Sequence, residues 1–173
     1  MNGREGKVKK TPWKRRNVII FEFAGRKCAA PSRRVREIIL MPMLSKGPGL
    51  PSILEGVMNL DGAAAAVIRL DRLFGLEEKK SGLYTPLLVL SGGETQLALL
   101  VDRVWEVKSV AAHEVMSLDG HDALNGCIEA ELNIEGETVH LLSVDRIMLE
   151  CGQKNITEFL AVEQERLNGM EAE

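Results

Sequence analysis

Asn59-Leu60-Asp61-Gly62-Ala63-Ala64-Ala65-Ala66-Val67-Ile68-Arg69-Leu70-Asp71-Arg72-Leu73-Phe74 decides the fold, because it reads two ways. Taken alone, Asp61 is a good helix N-cap and four consecutive alanines have the highest helix propensity available. However, 74 positions later Asn133-Ile134-Glu135-Gly136 opens an ungapped counterpart that ends Val144-Asp145-Arg146-Ile147-Met148, and its alanine slots hold Glu137-Thr138-Val139-His140. Threonine and valine after a turn suit a strand. The repeat outweighs local propensity. Asp61-Gly62 is expected to be a two-residue hairpin turn, Ala63 to Ile68 a strand, and Leu70 to Phe74 a short helical turn matched by Val144 to Met148. Small side chains in that strand leave room for a close backbone approach.

A second echo pairs Arg34-Val35-Arg36-Glu37-Ile38 with Arg103-Val104-Trp105-Glu106-Val107, at a spacing of 69. Two copies cannot make a solenoid, which needs about three repeats to bury a shared core. Working outward, Val18 to Phe23 reads as a buried strand, Gly25-Arg26 as a turn and Lys27 to Ala30 as the return strand. The second unit has the same grammar in Leu87 to Leu90, Gly92-Gly93 and Gln96 to Val101. Ile128, Ala130, Leu132 and Ile134 alternate with polar residues as a half-buried strand does, and Thr138 to Leu142 returns beside it. Pro42, Pro48 and Pro51 with Gly47 and Gly49 make residues 41–51 a loop. Asn155 and Glu158 have capping-box spacing, and Ile156, Phe159, Leu160 and Leu167 share one face of a C-terminal helix that Gly169 is expected to end. Short strands separated by glycine turns, arranged twice, imply a mainly β fold of paired small barrels.

The chain has 173 residues, 45% hydrophobic and 27% charged, with a net charge of −3. That composition is globular and gives no general attraction to nucleic acid. Residues 1–16 are basic and aperiodic and are expected to form a flexible tail, whereas residues 158–173 are mostly acidic. A basic tail with Trp13 allows an RNA-binding reading, which predicts steep salt dependence; solubilising disorder is the commoner outcome. Cys28, Cys127 and Cys151 are odd in number and widely spaced, so no disulfide framework or zinc site is indicated, and a reducing cytoplasm fits. The apolar run Val18 to Phe23 is too short and too interrupted for an export signal. No stretch approaches the ~18 consecutive apolar residues of a membrane helix. His113, His121 and His140 are scattered without ligand spacing, and Asp119-Gly120-His121-Asp122 reads as a solvated turn. Gly92-Gly93 lacks the rest of a phosphate loop. No catalytic, metal or cofactor signature emerges. Met41 and Met43, in the proline-rich loop, suit an adaptable docking surface.

From Val18 to Met148 the pattern resembles the CheW-like domain of bacterial chemotaxis coupling proteins. The carriers are Val35-Arg36-Glu37-Ile38, Leu50-Pro51, Ile53-Leu54-Glu55-Gly56-Val57-Met58-Asn59-Leu60, Leu70-Asp71-Arg72-Leu73-Phe74-Gly75-Leu76, Leu100-Val101-Asp102-Arg103-Val104-Trp105-Glu106-Val107 and Leu141-Leu142-Ser143-Val144-Asp145. The resemblance implies two pseudo-symmetric five-stranded SH3-like β-barrels sharing a core over residues 17–150; the C-terminal helix and acidic tail over 151–173, read from capping and charge, follow it. It implies a non-enzymatic, cofactor-free cytoplasmic adaptor, peripheral at receptor arrays. Its partners would be the regulatory domain of a CheA-like histidine kinase and the cytoplasmic helices of chemoreceptors, without nucleic acid or membrane insertion. By the same resemblance Val35, Glu37 and Ile38 lie near the receptor-facing surface, with Gly56 and the hairpin Asn59, Leu60, Asp61 and Gly62 beside it. Core packing accounts for Val35 and Ile38 equally well.

Two departures reverse charge. The family usually has Asn-Leu-Arg-Gly where this chain has Asn59-Leu60-Asp61-Gly62, and an acidic residue, Leu and often Arg where it has Arg69-Leu70-Asp71. Ala66 also replaces a usual proline. Losing a forked donor at position 61 repels any carboxylate once met there. The alternative function is therefore a divergent scaffold of the same fold that binds another signalling protein.

Overall fold

The computed structural model describes residues 13–171 except 79, 81, 83, 118–122 and 154. The turn at 119–122 and the first twelve residues thus lie outside the described residues. Eleven strands and three helices follow in order: β1 (Arg16–Phe23), β2 (Arg26–Pro31), β3 (Val35–Leu40), β4 (Leu54–Leu60), β5 (Ala63–Arg69), α1 (Leu70–Leu73), β6 (Pro86–Leu90), β7 (Leu97–Leu100), β8 (Arg103–Val110), β9 (Val115–Ser117), β10 (Ile128–Ile134), β11 (Glu137–Leu142), α2 (Val144–Gln153) and α3 (Ile156–Glu171). The alanine run is a strand, as its repeat partner required. Both hairpins turn alike, with positive φ at Asp61 (52°) and Gly62 (90°) and at Glu135 (53°) and Gly136 (83°). Two consecutive left-handed residues define the type I′ turn, whose twist matches the strands it joins. In each, the asparagine side chain locks the turn: Gly62 N–H donates to Asn59 Oδ1 (2.8 Å) and Gly136 N–H to Asn133 Oδ1 (3.0 Å).

The strands form two barrel-like sheets in the orders β8-β1-β2-β11-β10-β9 and β3-β6-β7-β5-β4, referred to below as the first and second sheets. β1 to β5 belong to one copy of the repeat, and β6, β7, β8, β10 and β11 to the other. Each sheet therefore takes its first two strands from one copy and its last three from the other. The copies are interleaved, and neither folds a sheet alone. Parallel pairs seal the exchange at the same place in each, His140 with Cys28 and Ala66 with Leu97. β9, three residues long, gives the first sheet a sixth strand.

Three apolar clusters result. Val18, Ile20, Ala29, Leu132, Val139 and Leu141 fill the first sheet, and Leu87, Val89, Ala98, Met58, Ala65 and Val67 occupy the matching places in the second. The largest cluster lies between them, with Ile19, Phe21, Leu88, Leu90, Leu54, Ile68, Leu142, Val144 and Ile147. Residues of β1, β2, β5, β6 and β7 thus alternate between barrel interior and shared core, so both faces are largely buried and these strands read as nearly continuous apolar runs.

The ends depart from expectation in four places. Residues 13–16, assigned to the flexible tail, are structured: Trp13 packs on the first sheet's interior, its Nε1–H donates to Val110 O (3.1 Å), and the Arg16 guanidinium lies 3.8 Å from its ring centroid. An indole buries its body while its one donor finds a carbonyl, enough to anchor a short basic segment. α2 runs past Met148 to Gln153. Asn155 has φ of 59° and so separates α2 from α3 rather than acting as an extended N-cap, while Phe159 N–H still donates to its carbonyl (3.2 Å). α3 continues two residues beyond Gly169 and buries Ile156 and Leu160, with Phe159 and Leu167 packed at the edge of the shared core.

Candidate docking surface

The β4–β5 hairpin tip and the edge strand β3 meet on the outer surface. β3 alternates, with Arg36, Ile38 and Leu40 exposed and Val35, Glu37 and Ile39 half-buried. Ile38 is 43% and Leu40 58% exposed, and β3 terminates its sheet. An edge strand showing apolar side chains is one that another chain can cover. Arg36 Nη2 reaches Asp61 Oδ2 at 3.3 Å, which ties β3 to the hairpin tip, while its Nε lies 3.8 Å from Glu37 Oε1 on the same strand. The pair is solvated and orients the tip more than it stabilises it. Next to it the proline-rich loop projects Met43, 95% exposed, over a groove of about 580 Å³ lined by Leu44, Met58, Asn59, Leu167 and Met170.

The expected site residues divide. Ile38, Asn59 and Asp61 share the exposed surface, with Glu37 and Gly62 half-buried beside them. Val35 packs against the shared core, and Leu60 against the second sheet's interior. Gly56 is buried under the loop: a Cβ there would stand 2.7 Å from Leu44 Cβ and 3.0 Å from Ser45 O. Its place in the structure is to let that loop bridge to Val57, through Ser45 N–H to Val57 O (2.8 Å) and Val57 N–H to Ser45 O (2.9 Å). Arg36 and Leu40 escaped the sequence reading, although Arg36-Ile38-Leu40 at every second position was its available signal.

The second charge departure is internal. Arg69 donates to Asp71 from Nε (3.1 Å) and Nη2 (2.7 Å), and to Glu55 from Nη1 (3.0 Å), with both Arg69 and Asp71 buried. This forked pairing holds the guanidinium charged beyond its already high range, against the cost of burial. Exchanging acid and base across two positions keeps such a pair intact.

Reactive chemistry is quiet. The three cysteines are free and buried, and loss of hydration pushes the Cys28, Cys127 and Cys151 thiols up to about 12, 11 and 12. Among the described residues no cluster of three or more His, Cys, Asp or Glu could hold a metal ion, and no helix is long and apolar enough to cross a membrane.

The CheW-like domain family model matches residues 17–150. The chain belongs to the CheW-like domain family. Among solved structures it is similar to the scaffolding protein TtCheW from Thermoanaerobacter tengcongensis, at 18% identity and a TM-score of 0.67, over 75% of this chain and 89% of that one. At that identity the likeness concerns the fold. No curated protein matches the chain. The family match ends at residue 150, before α3 begins at Ile156.

Proposed function

We propose that this CheW-like protein is a non-enzymatic signalling adaptor that couples the regulatory domain of a CheA-type histidine kinase to the cytoplasmic helices of chemoreceptors. The observation that carries the reading is the exposed apolar edge of β3 joined through Arg36 and Asp61 to a rigid type I′ hairpin, on a CheW-like scaffold. A receptor helix laid there meets Ile38 and Leu40 as anchors, with Glu37, Asn59, Asp61 and Gly62 setting polarity at the rim. Val35, Leu60 and Gly56 support that face from beneath. Such work needs no cofactor and is carried out in the cytoplasm at receptor arrays. Co-sedimentation of the purified chain with the same organism's kinase regulatory domain and receptor fragments tests it; failure to bind either overturns it.

The second reading, a scaffold for another signalling protein, draws on Asp61 alone. Asp61→Arg would place a second cation beside Arg36. Reduced receptor binding marks the Arg36–Asp61 pair as part of this chain's own interface, and increased binding marks the acidic tip as a divergence from receptor coupling.

A further inference from the structure

α3 lies beyond the family match, yet it makes an unusually specific contact with the hairpin. β7 pairs with β5 only from Ala66 onward, which leaves Ala64 N–H and Gly62 C=O pointing out from an uncovered stretch of strand edge. Gln164 fills it: its Oε1 accepts from Ala64 N–H (2.7 Å) and its Nε2 donates to Gly62 O (3.0 Å). One side-chain amide thus takes both bonds that a neighbouring strand would make around Ala63. The alanine run is what admits the helix. At the matching edge of the first sheet, where Ala64 and Ala66 are replaced by Thr138 and His140, an open pocket remains.

The helix is held unevenly. Ile156 and Leu160 are buried and Thr95 and Thr157 hydroxyls meet at 3.1 Å, but beyond Gln164 most side chains are exposed. Glu163 is buried, and its Oε1 has no hydrogen-bond partner, facing Arg166 Nη1 at 3.3 Å instead.

We propose that α3 is a cis-acting strap that covers the β5 edge beside the Asn59–Gly62 tip and walls, with Leu167 and Met170, the groove of Met43, Met58 and Asn59, and that a receptor-type helix reaching the tip competes with it for that groove. The proposal rests on the docking surface described above. Two full-length variants test it, each titrated with a receptor cytoplasmic fragment and each followed by amide hydrogen exchange. Gln164→Ala removes both edge bonds and leaves the apolar anchors; Thr95→Cys with Thr157→Cys, oxidised, pins the first turn. In Gln164→Ala the Ala64 amide exchanges faster and fragment affinity rises about five- to thirtyfold, the effect of losing two ordinary hydrogen bonds from a closed state. In the oxidised double variant affinity falls, and reductant restores it. Binding that is measurable but equal in all forms, or an Ala64 amide indifferent to Gln164, overturns the strap and leaves the docking surface standing. Absence of binding in every form defeats the docking surface, and the competition with it.

Discussion

Arg69 lies in a buried slot with a carboxylate on either side, so its removal strands Asp71 and Glu55 without their strongest partner. Arg69→Ala is expected to cost about 3–5 kcal/mol in chemical denaturation, and exchanging the pair as Arg69→Asp with Asp71→Arg to recover much of the loss. A cost under about 1 kcal/mol would mean that water replaces the guanidinium there. The three thiols give a pH signature. Burial favours their neutral form, so their contribution is complete below the ordinary thiol value of 9.0 and is lost as pH climbs from there towards 12. Native protein at pH 8 is thus expected to resist thiol-labelling reagents, with labelling following unfolding, and stability should decline across that alkaline window.

At the scale of elements, Gly56 shows how one absent side chain positions a loop. Gly56→Ala is expected to cost about 1–3 kcal/mol, because the added methyl meets Leu44 and the Ser45 carbonyl, and to speed exchange of the Val57 amide. In the first sheet the matching place holds Ala130, so a methyl there is compatible with the barrel itself and the constraint comes from the loop. Such pairings also explain what the sequence disclosed. The alanine strand was legible only through its distant counterpart, since the local preference of Ala63 to Ala66 points to a helix and long-range pairing overrides it. Alternation revealed β10, and the turn pairs Asp61-Gly62 and Glu135-Gly136, matched by the repeat, revealed both hairpins. The Arg36–Asp61 contact and the Gln164 clamp were not legible, because hydrophobic periodicity locates an element but does not say which polar side chain will cross to it. Ile38 and Val35 show the same limit: both are apolar on one strand, and only the fold separates surface from support.

For the whole molecule, the repeat correctly implied two similar modules but could not show that each is assembled from both copies. Pattern along a strand specifies its faces and leaves its neighbours open. The interleaving has a direct consequence. Cutting the chain after Glu78 yields one piece carrying β1 to β5 and another carrying β6 to β11, and each lacks strands from both sheets. Each piece alone is expected to lack cooperative unfolding, and an equimolar mixture to regain the β-rich circular dichroism and thermal transition of the intact chain. Either piece folding independently would contradict the exchanged topology. On this frame the adaptor reading needs two partners held at once, so the most direct measurement is a bridging assay. Receptor cytoplasmic fragments are immobilised and the kinase regulatory domain is passed over them with and without the chain. The account predicts that the kinase domain is retained only when the chain is present, and less so with Ile38→Asp; retention independent of the chain, or none in its presence, would contradict it.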